Sequence, residues 1–402
     1  MSPSPSSAMK RRRALLQALA LAPLACGPAR VRAAPATSTR LLFVFLRGGY
    51  DAASLLVPTS SSFYYETRPN IAIARPGTGN NAALPLNADW GLHPALATSI
   101  LPLYAAGQAI FIPYAGSHEL TRSHFSTQDN IELGRTPDAV STRRSGFLNR
   151  LAEELGAPAI AFTDQAPLIL QGNVAVPNTA LRLPPRSLVD ARQSGIIASM
   201  YRDTTLATPV DEGFALRDEM QRDMAAEMNA ANRNAISTRG FELEARRVAR
   251  QMRGRFNIGF VDVGGWDTHV NQGSGTGQLA TRLDELGRGL AGFAQEMGAL
   301  WQDTVVVVAS EFGRTFRENG NRGTDHGHGS VYWVLGGAVR GGRIAGEQVQ
   351  ARAADLQDNR DYRVLNEYRA VLGGLFGRLY GLDATRLARI FPGAATVDLG
   401  LV

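Results

Sequence analysis

The sequence predicts a layered α/β fold, a largely parallel sheet flanked by helices, and three observations predict it. Continuous apolar runs recur along the chain, segments of helical period separate them, and polar clusters follow them. Leu41-Leu-Phe-Val-Phe-Leu46, ended by Arg47-Gly48-Gly49, reads as a strand buried on both faces, as do Ala109–Tyr114, Asn257–Val263, Thr304–Ala309 and Val331–Leu335. Strands without polar alternation belong to parallel sheets that helices cover. The helix-like segments are Pro94–Ala106, Ser123–Leu133, Gly146–Leu155, Arg186–Tyr201, Asp211–Arg253, Leu279–Met297 and Leu365–Tyr380. Their alternation with the strands makes one α/β domain over residues 37–402, without an internal repeat. Met220, Met224 and Met228 share one face of the Asp211–Arg253 helix and read as core packing.

The first 36 residues stand apart. They hold Lys10, Arg11, Arg12, Arg13, Arg30 and Arg32 and no acid, so the net charge of +6 belongs to them and the remainder is near neutral. A neutral domain with no basic run excludes nucleic acid as an expected partner. Lys10-Arg-Arg-Arg13 followed by the apolar Ala14–Ala25 is an export signal, too short to be a transmembrane segment, with cleavage expected after Ala36 and Ala33 as the alternative. Arg12-Arg13-Ala14-Leu15-Leu16 resembles the twin-arginine motif, which implies the twin-arginine translocase as a partner during export; the general secretory route is the competitor. The expected location is the periplasm or the medium. Cys26, the only cysteine, would leave with the signal, and the mature chain would carry no disulfide.

Chemistry concentrates in four clusters placed just after strands, where ligands of open α/β sheets gather. They are Arg47-Gly-Gly-Tyr-Asp51, Arg122-Ser123-His124, Gly264-Gly-Trp-Asp267-Thr-His269, and Glu311-Phe-Gly-Arg314 continuing to Gly323-Thr-Asp325-His326-Gly-His328-Gly329. Asp267 and His269 diverge on a helix but share a side on an extended loop, as do His326 and His328 around Gly327. These histidines with Asp267, Glu311 and Asp325 suit one or two divalent ions with mixed nitrogen and oxygen ligands, Zn, Mn, Mg or Ca. Ser123 has two readings, a helix N-cap and a nucleophile where backbone N–H groups favour an anion. His93 and His118 have no neighbouring acid and read as structural.

Six motifs in order carry a resemblance: Phe43–Asp51, Gly91-Leu-His-Pro-Ala-Leu96, Arg122-Ser-His-Phe125, Gly264–His269, Ser310-Glu-Phe-Gly-Arg314 and Gly323–Gly329. By them the chain resembles the exported bacterial domain-of-unknown-function family 1501, from about Leu41 to the C-terminal helix. That family is in turn similar to the alkaline phosphatase and sulfatase superfamily, which uses metal ions and a nucleophile at a helix N-terminus. The resemblance implies Asp51 as the first metal-binding acid and Ser123 as nucleophile beside His124. It implies Asp267 and His269 at one metal, Glu311 at the other, and His326 or His328 as the last histidine. The chain departs from the superfamily in two places: Arg47 stands where the first acid should be, and Glu311-Phe312 stands where an Asp-His pair should be.

The expected function is thus an exported, metal-dependent hydrolase of small phosphate or sulfate esters, with Arg47, Arg122 or Arg314 clamping the anion. The alternative is a catalytically silent envelope protein that binds an anionic ligand or a partner through the same crevice.

Overall fold

A computed structural model describes residues 38–136, 145–181, 191–215 and 240–402. The export signal, Cys26 and the methionines at 220, 224 and 228 lie outside the described residues. Eleven strands occur among them: β1 (Arg40–Arg47), β2 (Leu56–Pro58), β3 (Leu84–Pro85), β4 (Trp90–Leu92), β5 (Ala109–Gly116), β6 (Ala159–Phe162), β7 (Ile258–Gly264), β8 (Thr304–Ser310), β9 (Ser330–Gly336), β10 (Arg343–Ile344) and β11 (Asn366–Glu367). Eight form one sheet in the order β10-β5-β9-β8-β1-β7-β6, with β11 on β5, and β2-β4-β3 form a small antiparallel sheet. The main sheet is parallel except for β9, which runs against both of its neighbours.

Every strand read from a continuous apolar run is present. The reason for the pattern is visible in β1, whose alternate side chains enter two different cores. Leu42, Val44 and Leu46 pack with Val248, Met252, Leu283, Leu290 and Phe293 from the helices Phe241–Gly254 and Gln278–Met297. Leu41, Phe43 and Phe45 pack with Leu148, Leu151, Leu372, Leu375 and Phe376 from the helices Phe147–Leu155 and Tyr368–Tyr380. A strand covered on both faces has no solvent side and so no polar alternation; each such side chain contributes roughly 1.5–3 kcal/mol by burial. Pro113 interrupts β5 where its register with β9 shifts between Ile112 and Ala115, a bulge that tolerates a residue without an N–H.

Some boundaries differ from those expected. Pro94–Ala106 is two pieces, a 3-10 turn Pro94–Leu96 and a short helix Ile100–Ala105. Of Asp211–Arg253, the helix Phe241–Gly254 covers the end, and residues 216–239 lie outside the description. The four-residue strand β6 was too short to announce itself by pattern. No helix among the described residues is long and apolar enough to cross a membrane.

Candidate metal centre

Because β1, β7 and β8 are parallel neighbours, their carboxyl ends share one edge of the sheet, and Arg47, Gly264 and Ser310 close them there. Each continues directly into one of the polar clusters. β9 is reversed, so it presents to this edge the residues that precede it, Gly323–Gly329. The glycines of that segment serve close approach and not loop freedom: a Cβ on Gly323 would lie 2.3 Å from His269 O, and one on Gly327 2.4 Å from the Arg314 carbonyl carbon. The helix His124–Glu132 follows β5 and turns His124 towards the same edge.

Three imidazoles converge there. His326 Nε2 lies 3.0 Å from His124 Nε2 and 3.1 Å from His269 Nε2. Asp267 Oδ1 is 2.8 Å from His269 Nε2 and 3.2 Å from His326 Nε2, while its Oδ2 is 3.8 Å from His124 Nε2. His124, Asp267 and His326 each offer a ligand atom within 4.8 Å of the others. The Phe312 ring packs on both His124 and His326, with centroids 4.8 and 5.2 Å away.

The opposite ring nitrogen of each histidine faces an oxygen. His124 Nδ1 is 2.7 Å from Glu311 Oε1, His326 Nδ1 is 3.1 Å from Arg122 O, and His269 Nδ1 is 3.2 Å from Asp325 Oδ1. Carboxylate and carbonyl oxygens only accept, so a proton on each Nδ1 satisfies these contacts and leaves the Nε2 lone pairs turned into the cluster, where only a cation can also satisfy the Asp267 carboxylate. Lone pairs facing one another at about 3 Å repel unless a cation lies among them. Histidine ligands held through Nδ1–H by carboxylate or carbonyl are the usual support of a metal ion. The donor set therefore fits a divalent metal.

The electrostatics favour a neutral His326 and keep Glu311 and Asp267 charged. Burial, then the nearby His124 and Arg314, lowers the His326 pKa below its ordinary value. Burial pushes Glu311 upwards, but hydrogen bonds from His124, Gln128 and Gly48 outweigh it and hold the carboxylate below the ordinary range. Asp267 is likewise held low against burial, chiefly by the charge of Arg314.

The structure sorts the expected site residues into three groups. His124, Asp267, His269 and His326 form the cluster itself, so His124, expected beside the nucleophile, stands among the candidate ligands. Glu311 and Asp325, expected as ligands, instead hold the far nitrogens of His124 and His269. Arg314, expected to clamp an anion, is wholly buried and bonds Asp267 through Nη2, so its guanidinium holds a candidate ligand in place. Asp51 and His328 lie elsewhere. Asp51 is buried in a two-point ion pair with Arg68, at 2.6 and 3.0 Å, which leaves no carboxylate oxygen for the cluster. His328 shares the loop with His326 but is 5 % exposed, and its pKa is pushed down to about 4 by burial and by the charges of Arg122 and His118. Ser123 precedes the helix His124–Glu132 as its N-cap residue, and its hydroxyl caps no N–H. Arg47 is tied to Asp262, Gln128 and Glu132, and Arg122 to Asp361, so neither guanidinium is an uncommitted clamp.

Two supporting residues escaped the sequence reading. Gln128 donates to Glu311 Oε1 at 2.8 Å and accepts from Arg47. The signal was present: His124, Gln128 and Glu132 recur every four residues and so share a helix face. Gln272, 0 % exposed, carried no such signal.

These features define a layered α/β protein with a histidine-rich, metal-type centre at the carboxyl edge of its sheet. The chain belongs to the family described as Protein of unknown function (DUF1501), whose pattern it matches over residues 38–391. No curated protein matches the sequence. Among solved structures it is similar to the lipoteichoic acid synthase LtaP from Listeria monocytogenes, at 9% identity and TM-score 0.40, covering 91% of this chain and 76% of that one. It is also similar to a protein in the alkaline phosphatase superfamily from Vibrio parahaemolyticus, at 11% identity and TM-score 0.36, covering 85% and 66%.

Proposed function

We propose that this is an exported, metal-dependent hydrolase of small phosphate or sulfate esters. The observation that carries the reading is the convergence of three imidazole Nε2 atoms on Asp267, each ring held at Nδ1 by an oxygen acceptor. Imidazole with a single carboxylate suits zinc better than magnesium or calcium, which prefer oxygen. A bound ion would polarise an ester oxygen and ready a water or hydroxyl for attack. His124, His269, His326 and Asp267 would hold it, Glu311 and Asp325 would fix two of the rings, and Arg314 would fix Asp267. Ser123 stands beside His124, where helix N–H groups favour an anion, and is the candidate nucleophile. The basic, apolar leader supports export to the periplasm.

The test is metal analysis of the purified protein with assays on aryl phosphates and aryl sulfates. We expect stoichiometric metal, loss of stability on chelation, and turnover that Ser123→Ala abolishes. Protein that binds no divalent metal would refute the reading. A second reading, a silent protein that binds an anion through the same crevice, is favoured by Phe312, whose ring covers the histidines where a second metal site needs another nitrogen ligand. Metal with no turnover on either ester class would select it.

A further inference from the structure

The motif residue Asp51 takes no part in the cluster, yet its partners lead back to it. Its carboxylate accepts from Gln272 Nε2 at 2.7 Å and from Ser54 Oγ at 2.6 Å, besides Arg68. A carboxylate accepts only, so the Gln272 amide must turn its NH2 towards Asp51 and its oxygen away. That oxygen receives two hydroxyls, Thr268 Oγ1 at 2.8 Å and Thr324 Oγ1 at 3.0 Å. Thr268 lies between Asp267 and His269, and Thr324 immediately precedes Asp325 and His326. One buried amide oxygen thus joins the two loops that carry three of the four cluster residues.

Arg68 extends the same hub to a third loop. Its guanidinium, 0 % exposed, donates to Asp51, to Ser54, and to the carbonyls of Thr315 and Phe316, just beyond Arg314. Every donor and acceptor of the Gln272 amide is likewise used, with Ser54 Oγ as the second partner of Nε2 at 3.3 Å. Buried amides are held this completely only in one arrangement of their partners, since any displacement leaves a buried polar group unpaired.

We infer that Gln272, oriented by Asp51, is a positioning residue that sets the spacing of His269 and His326 for metal through Thr268 and Thr324. The inference rests on the metal reading of the cluster. It also explains why an acid closes the first motif without reaching the site: its role is to aim Gln272.

The experiment is titration of Zn(II) and Mn(II) into metal-stripped protein, wild type against Thr268→Val, Thr324→Val and Gln272→Met, with thermal melts of the metal-free forms. Each valine keeps the shape and removes one hydroxyl from Gln272. Affinity should fall roughly 10–100-fold in each variant, as for other residues that support metal ligands, and Thr268→Ser and Thr324→Ser should recover it. The Thr268→Val, Thr324→Val double variant should lose less than the product of the two single losses, because both act through one amide. Wild-type metal binding with unchanged affinity in the valine variants would overturn the inference alone, whatever happens to the melts. Wild-type protein without metal binding would overturn the metal reading and this inference together.

Discussion

His326 Nε2 lies 3.0 Å from His124 Nε2, although the two residues are 202 apart in sequence. The contact exists because β9 is reversed: the helix after β5 and the loop before β9 meet at one edge of the sheet. Of the cluster residues, His326 alone has its Nε2 within about 3 Å of both other imidazole Nε2 atoms.

His326 and His328 should therefore behave oppositely. His326→Asn should weaken Zn(II) binding by more than the roughly 10–100-fold typical of losing a supporting partner. His328→Asn should leave affinity within a few-fold and act on stability, because its ring is buried away from the cluster. Isothermal titration of both variants checks the pair.

Glu311 supports His124 while accepting from Gly48, Gln128 and Ser310 as well. Glu311→Gln keeps the shape and removes the charge that fixes the His124 tautomer. We expect about 10–100-fold weaker metal binding in a protein that still folds. Titration alongside a denaturant melt separates the two effects.

The Asp51–Arg68 pair is buried, and removing one partner strands the other charge. Arg68→Met should cost about 3–5 kcal/mol in urea unfolding, the range for breaking a buried pair. A loss under about 1 kcal/mol, the worth of an exposed pair, would contradict the burial.

His93 supplies a pH dependence of stability. Its Nδ1 accepts from Ala95 N and its Nε2 donates to Ser274 O, and burial pushes its pKa from 6.5 down to about 4. The folded pKa lies below the unfolded one, so this contribution is complete above pH 6.5 and is lost as pH falls from 6.5 towards 4, where only the unfolded chain takes the proton. The full loss is about 3 kcal/mol, because each tenfold difference in proton affinity between the folded and unfolded chains is worth about 1.4 kcal/mol. His93→Gln should flatten that part of the profile in unfolding measured at about pH 7 and about pH 4.5. An unchanged slope would show that His93 titrates normally.

The sheet was legible in the sequence because burial on both faces leaves a one-dimensional mark, an unbroken apolar run such as Leu41–Leu46. The clusters after the strands were legible for a related reason, since parallel strands end on one edge. The sequence also placed Asp267 and His269 together, because two residues apart on an extended loop share a side. His124 was named but given another role, and the i, i+4 spacing to Gln128 that marks its supporting face passed unread.

What the sequence determined by itself was the class of fold, the family and the set of side chains available for chemistry. Only the tertiary structure decided their roles. It put Asp51 into an ion pair with Arg68, buried His328, and made Glu311 and Asp325 supports of the rings they hold. The reason is physical: a carboxylate or imidazole can serve as metal ligand, ring support or ion-pair partner, and residue type does not distinguish them. The atom facing it does, and for Asp51 that atom belongs to Arg68, brought there by the fold.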